Sequence, residues 1–100
     1  MSREEHADGA VEVRLYADLR QVFGTKQVHV PAAQAPDVRR LLAVICDSPE
    51  RRRALFAESG ELRKEIVVLV NGRNIRFLDG VATRLAGSDA VAVFPPVYGG

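Results

Sequence analysis

The sequence predicts an α+β domain in which a mixed β-sheet is covered on one face by one main helix. Residues 11–16 alternate apolar and polar side chains, as a half-buried strand does, whereas residues 66–70 form an unbroken apolar run. Between them, residues 38–45 place apolar side chains at the spacing of one helical face. A single helix that connects strands along a short chain favours one layer of sheet and one layer of helix.

Length and composition agree with a single globular unit. The chain has 100 residues, of which 47% are hydrophobic and 27% charged, and a chain of this size supports one hydrophobic core. Its net charge of +1 gives no support for binding nucleic acid through counterion release. No apolar run approaches the roughly 20 residues of a membrane span, and the polar first ten residues do not resemble a signal peptide. We therefore expect a cytoplasmic protein that binds neither nucleic acid nor membrane.

The first predicted element is a β-hairpin. Residues 11–16 form its first strand, with Val11, Val13 and Leu15 on one face and Glu12, Arg14 and Tyr16 on the other. Residues 21–25 supply the turn, and the second strand ends at Pro31. The polar residues before the hairpin indicate a disordered lead at residues 1–10.

A main helix and a second short helix are predicted next. In the main helix, Pro36 suits the first helical position and Asp37 complements the helix dipole. Ser48 is expected to cap the short helix, which starts at Pro49 and ends near Gly60. We interpret Arg51-Arg52-Arg53 within it as a solvated helix face, with contact to an acidic partner or to nucleic acid as the less favoured alternatives.

Three strands complete the domain. Residues 66–70 predict an interior strand, and Asn71-Gly72 is the pair preferred in a type I′ turn. Residues 73–77 then return as a short strand, residues 78–89 form a loop, and residues 90–94 form the last strand. The predicted core residues are Val13, Leu15, Val30, Leu41, Leu42, Ile45, Val68, Val70, Val91 and Val93.

The chain ends in a stiff apolar lead followed by two glycines. Pro95 and Pro96 cannot donate to a sheet, and their fixed φ favours an extended path. Gly99 and Gly100 lack a Cβ, so the terminal carboxylate can enter a slot too narrow for other residues. We therefore divide the chain into the lead, a folded domain at residues 11–94 and a flexible tail at residues 95–100, which spans about 20 Å when extended.

Isolated reactive side chains elsewhere are interpreted as structural. Cys46 is the single cysteine, which excludes a disulfide framework, and no histidine lies near it in sequence. We expect a buried, inert thiol rather than a nucleophile. His6 and His29 are isolated and are expected to be solvated, so no metal site is predicted.

Three segments together carry a family resemblance. The most specific is the stretch at residues 91–97, VAVFPPV, with the terminal Gly99-Gly100. The stretches LYADLR at residues 15–20 and VNGRNI at residues 70–75 support it. In these features, over residues 11–100, the chain resembles the MoaD/ThiS group of ubiquitin-like sulfur carriers, most closely the small subunit of molybdopterin synthase. Archaeal ubiquitin-like modifiers share the pattern, whereas the bulky Tyr98 departs from the small residue of most relatives.

The resemblance implies a β-grasp (ubiquitin-like) fold and a carrier without catalytic groups of its own. An adenylating enzyme of the ubiquitin-activating type would use ATP to activate the carboxylate of Gly100, and a persulfide enzyme would supply sulfur to give a thiocarboxylate. The large subunit of molybdopterin synthase would then receive the sulfur. No cofactor would be bound by this chain, because the ATP belongs to the activating partner.

The same resemblance implies which residues contact these partners. The residues expected to thread into a partner are Pro95, Pro96, Val97, Tyr98 and Gly99. Phe94, Phe77 and Arg73 are expected at the docking surface, with burial in the core as an equal alternative for Phe77. Other functions compatible with the tail are a protein modifier joined to lysines through Gly100, a carrier for thiamine synthesis or tRNA thiolation, and an interaction module with an idle tail.

Overall fold

The computed structural model describes residues 9–96, and within them it forms a mixed five-stranded sheet with helices packed on one face. The strands are β1 (Ala10–Leu15), β2 (Gln27–Pro31), β3 (Val67–Val70), β4 (Arg73–Asn74) and β5 (Ala90–Phe94). The helices are α1 (Leu19–Phe23), α2 (Val38–Ile45) and α3 (Pro49–Leu55), and short 3₁₀ turns lie at Ala32–Gln34, Ile75–Phe77 and Gly80–Ala82. The predicted α+β class with one main helix, α2, is confirmed. The expectations for residues 1–8 and 97–100 lie outside the described residues.

The sheet order β2-β1-β5-β3-β4 places the last strand in the middle. β5 pairs parallel with β1, with Leu15 beside Val93, and antiparallel with β3, with Val67 beside Phe94. β2 and β4 pair antiparallel at the two edges. Because the first and last strands run side by side in the same direction, the C-terminal ends of β1 and β5 lie together at one end of the sheet, which we call the exit edge.

The core lies between the sheet and α2. Alternate residues of β1, β3 and β5 point toward the helix layer, where Val11, Val13, Leu15, Val68, Val91 and Val93 are almost completely buried. The helix contributes Val38, Leu41, Leu42 and Ile45 from one stripe. All ten predicted core residues are buried, so the predicted phases of the strands and the helix are confirmed.

The main helix begins at Val38, two residues later than Pro36 suggested. Asp37 is the N-cap, and its carboxylate accepts a hydrogen bond of 2.8 Å from the backbone N–H of Arg40. Asp37 has an extended backbone, and its side chain satisfies a backbone N–H of the first helical turn, as an N-cap residue does. Pro36 therefore precedes the N-cap instead of occupying the first helical position. Ser48 caps α3 as predicted, accepting from the N–H of Arg51 at 3.2 Å, but α3 ends at Leu55 and not near Gly60.

The predicted hairpin between β1 and β2 is interrupted by α1, and Arg51 explains why. The Arg51 guanidinium donates from Nε to the carbonyl of Val22 and from Nη2 to the carbonyl of Phe23, both at 3.2 Å. It also lies 5.5 Å from the centre of the Phe23 ring. These contacts satisfy the carbonyls at the end of a helix of only five residues, which ends at Gly24 with φ of 70°. Arg51 is therefore a structural link between α1 and α3 and not part of a solvated face.

The region after β3 is partly as predicted. Asn71 and Gly72 have φ of 51° and 86°, as a type I′ turn requires, and the Asn71 side chain accepts from the N–H of Ala90 at 2.9 Å. The returning strand, predicted for residues 73–77, is shorter: β4 contains Arg73 and Asn74 alone. Asn74 accepts from the N–H of Arg76 and starts a 3₁₀ turn in place of further pairing.

Candidate functional site

The candidate site is the point where the tail leaves the sheet. β5 is hydrogen-bonded on both sides up to Phe94, and Pro95 and Pro96 follow as half-buried residues outside the ladder. Since neither proline has an N–H, pairing with β1 or β3 cannot continue along the same path. The described chain therefore leaves the sheet at the end where β1 and β5 both stop.

An aromatic stack marks this edge. The ring of Tyr16, the residue after β1, lies 4.4 Å from the ring of Phe94 between centroids, with planes 9° apart. The backbone N–H of Tyr16 donates to the carbonyl of Val93 at 3.2 Å, and this bond joins the end of β1 to the end of β5. Arg20 donates from Nε to the carbonyl of Leu15 at 2.9 Å, and its guanidinium lies over the Tyr16 ring, 5.4 Å from the centroid.

The stack continues into an apolar strip on the sheet face that carries no helix. Val67 pairs with Phe94 and Leu69 pairs with Ala92, and all four side chains are half-buried. We call Tyr16, Phe94, Val67, Leu69 and Ala92 the exit patch. Apolar and aromatic side chains with an arginine at the margin are the usual composition of a protein interface. The exit patch therefore has the composition of a protein interface.

The other predicted docking residues are placed differently. Phe77 is 85% exposed, so the alternative of burial in the core is wrong. Its neighbour Arg76 donates to the carbonyl of Lys64, a residue that precedes β3. Phe77 therefore lies near the end of the sheet where β3 begins and β5 ends, but it follows β4, which is two strands away from β5. Arg73 is exposed and pairs with Val70, which lies beside Val91 at the start of β5. It is therefore at the end of the sheet opposite the exit, because the two-residue turn reverses the chain there.

Sequence reasoning missed Tyr16 and Arg20 as members of this site. Both belong to a segment that supported the family resemblance, but neither is near the tail in sequence. Only the parallel pairing of β1 with β5 brings them beside Phe94. The period-two pattern of β1 could have placed Tyr16 on the helix-free face, but it could not show which strand lies next to it.

Cys46 and His29 take no part in the site. Cys46 is buried at the end of α2, its Sγ lies 3.4 Å from the carbonyl of Arg51, and burial raises the pKa of its thiol to about 11. This environment agrees with an inert thiol, as predicted. His29 is exposed on β2, also as predicted. Among residues 9–96, no three histidine, cysteine or carboxylate side chains come together in a way that could hold a metal ion. None of the helices described is long and apolar enough to cross a bilayer.

Comparison with known proteins places this geometry in a family. A model of the ThiS family matches residues 13–100. Small archaeal modifier protein 3 of Haloferax volcanii is 41% identical over 93 residues, which cover 90% of this chain and 98% of that protein. A protein of Archaeoglobus fulgidus named "Putative sulfur carrier protein" is 32% identical over 92 residues, 91% of this chain and 99% of its own.

Solved structures agree. The crystal structure of small archaeal modifier protein 1 from Haloferax volcanii matches with a TM-score of 0.79 and 34% identity, over 92% of this chain and all of that one. A Pyrococcus furiosus structure named "Putative molybdopterin converting factor, subunit 1" matches with a TM-score of 0.65 and 26% identity, over 89% of this chain and 99% of its own. The fold is thus that of a ubiquitin-like β-grasp domain. The chain belongs to the ThiS family of ubiquitin-like sulfur carriers, whose relatives include archaeal modifiers.

Proposed function

We propose that this protein carries sulfur on Gly100 as the small subunit of a molybdopterin synthase. The single observation that best supports this is the central position of β5, which is followed by Pro95 and Pro96 outside the sheet and, within four residues of Pro96, by the diglycine in the sequence. A β-grasp neighbour named as a molybdopterin converting factor subunit favours the molybdopterin route. The carrier supplies the reactive atom and its reach, and the partners supply the catalytic groups.

The proposed chemistry begins with a poor acyl donor. A carboxylate cannot expel oxide, so the Gly100 carboxylate attacks the α-phosphate of ATP in the activating enzyme and releases pyrophosphate. The resulting acyl adenylate has AMP as its leaving group. A persulfide sulfur displaces AMP, and a thiol then cleaves the S–S bond by forming a disulfide, which leaves the thiocarboxylate on Gly100. Both the activating enzyme and the synthase large subunit have to receive the same tail.

For that reason we propose that both partners dock on the exit patch. Phe94 is the expected anchor, supported by its stack on Tyr16, and the exposed Phe77 is a weaker peripheral contact. Phe94→Ala should weaken binding to an activating enzyme by about 2 kcal/mol or more, the level of an interface hot spot. Phe77→Ala is the matched control and should cost less. Equal losses for the two variants in a calorimetric titration would argue against an anchor at Phe94.

A protein modifier is the second candidate function. It is favoured by the 41% identity to small archaeal modifier protein 3. Both functions share the adenylate on Gly100, and they differ in the final acceptor, which is sulfur for the carrier and a lysine amine for the modifier. The sequence and the fold support the shared step equally in the two cases.

One experiment on protein isolated from its host separates these functions. Intact mass spectrometry should show exchange of one oxygen for sulfur, and fragmentation should localise it to Gly100. A modifier would instead leave a branched remnant on lysines of other proteins. Trypsin would leave the whole segment after Arg84, so a protease that cleaves after aromatic residues should be used, because cleavage after Tyr98 leaves the short Gly99-Gly100 remnant.

Deletion of Gly99-Gly100 tests the step that both functions share. The last strand of the sheet ends at Phe94, so the folded domain should keep its stability while sulfur transfer and conjugation are lost. Circular dichroism and thermal unfolding check the fold, and cofactor synthesis in a host that lacks the native gene checks the function. Cofactor synthesis by the truncated protein would refute Gly100 as the sulfur-bearing residue.

A further inference from the structure

A groove on the helix layer is not explained by the proposed function. It has a volume of about 590 Å³ and lies between α2, α3 and the segment that follows α3. One wall is the flank of α2 formed by Arg39, Ala43 and Cys46, and the facing wall is the flank of α3 that carries Arg52 and Arg53. The α2 residues are three and four apart. On α3 and at its C-cap, Pro49 and Phe56 also line the groove and lie three or four residues from Arg52 and Arg53, so each wall is a continuous stripe.

The third wall is held in place by hydrogen bonds. The backbone N–H of Arg63 donates to the carbonyl of Leu55 at 2.8 Å, and the Arg63 side chain donates from Nε to the carbonyl of Arg53, also at 2.8 Å. Phe56 and Leu62 pair as an isolated antiparallel bridge. The groove is therefore a formed feature of residues 39–63, whose apolar lining includes Phe56, and it does not depend on the tail.

The charge around this apolar lining is predominantly positive. Arg39, Arg52, Arg53 and Arg63 line the groove, and Glu58 is the one carboxylate among its lining residues. The two ion pairs found within residues 9–96 join Arg14 to Glu12 and Arg51 to Asp47, so neither uses an arginine of the groove. The whole chain has a net charge of only +1, which makes this concentration of positive charge a local property of the helix layer.

We propose that the groove docks an acidic peptide segment of a partner protein, with a bulky apolar side chain inserted between α2 and α3. The apolar lining favours a hydrophobic anchor, and guanidinium groups on three separate walls favour several carboxylates in place of one small anion. Because α2 buries its other stripe against the sheet, the groove and the exit patch lie on opposite sides of the domain. A partner could therefore hold the groove while the tail is engaged elsewhere.

The test uses the full-length protein and a synthetic peptide with a central Phe-Leu pair flanked by three glutamates on each side. Titration of isotope-labelled protein, followed by NMR, should shift the amides of Ala43, Cys46, Ala57 and Gly60 in a saturable way at physiological ionic strength. Replacing the Phe-Leu pair of the peptide by two serines should weaken binding at least about fivefold, since burial of a large apolar side chain is then lost.

Matched charge reversals locate the site. Arg52→Glu should weaken binding about tenfold, because attraction between close charges becomes repulsion, and Arg39→Glu on the opposite wall should act in the same direction. Arg73→Glu changes the net charge equally, but Arg73 lies on β4 at the far edge of the sheet, so this change should alter the affinity less than about twofold. The amide spectrum of each variant verifies that it folds.

Several results would overturn the proposal. Equal weakening by Arg52→Glu and Arg73→Glu, or unchanged binding of the serine peptide, would show nonspecific attraction. Tighter binding of inorganic pyrophosphate at the same amides would identify a small-anion site. Displacement of the peptide by a single-stranded oligonucleotide of equal charge would identify a nucleic-acid surface.

Discussion

The stack of Tyr16 on Phe94 can be measured as a coupling energy. The rings are 4.4 Å apart and nearly parallel, and such pairs contribute about 0.5–1.5 kcal/mol beyond the area that they bury. Both side chains are half-buried, so each single change to alanine should cost about 1.5–2.5 kcal/mol, half of the loss for a fully buried aromatic. The double variant should cost less than the sum by the coupling energy of the pair.

Urea unfolding followed by circular dichroism gives the four free energies of unfolding that this double-mutant cycle needs. The matched control combines Phe94→Ala with Phe77→Ala, because Phe77 is 85% exposed and two strands away, and these changes should add. A coupling between Tyr16 and Phe94 below about 0.3 kcal/mol, within the error of additivity, would refute the stack as a stabilising contact. It would also remove the reason for treating Tyr16 as the support of the exit patch.

Three further predictions concern the helix layer. Leu42→Ala should lower the free energy of unfolding by about 2–5 kcal/mol because Leu42 is fully buried. The control Val44→Ala, on the exposed side of α2, should cost less than about 1 kcal/mol. Equal losses would show that the helix phase is wrong. Asp37→Ala removes the N-cap and should cost about 1 kcal/mol in the same assay, while Asp37→Asn should keep most of it; no loss in the alanine variant would contradict the cap. Cys46 should react with a thiol reagent at pH 8 at least about 100-fold more slowly than in urea, because burial raises its pKa from 9.0 to about 11 and reduces the thiolate; equal rates would contradict its burial.

The contribution of Cys46 to the stability of the fold should decrease at alkaline pH. Its pKa is higher in the folded protein, so the contribution of the neutral thiol to stability is fully present below pH 9 and is lost as the pH rises toward 11. Cys46→Ala should remove this dependence above pH 9. A stability profile that is identical for the two proteins between pH 9 and 11 would count against the shift.

Local pattern determined most of the fold. The alternation in β1, the helical spacing in α2 and the apolar run before Asn71-Gly72 depend on neighbours within a few residues, so they can be identified without knowing the topology. The same holds for the Ser48 cap and for the stiff tail. The turn predicted where α1 forms was wrong, because α1 is a helix too short to be stable alone. The strand predicted for residues 73–77 was likewise cut short by a 3₁₀ turn that begins after Asn74.

Contacts between distant segments decided the rest. The end of α1 is held by Arg51, 28 residues away, which donates to the carbonyl of Phe23, and no local pattern indicates that bond. Likewise the sequence identified the tail and Phe94, but the pairing of β1 with β5 added Tyr16 and Arg20 to the site and the β3–β4 turn moved Arg73 away from it. Strand order sets which side chains become neighbours across a sheet, and strand order follows from the packing of the whole domain and not from any one segment.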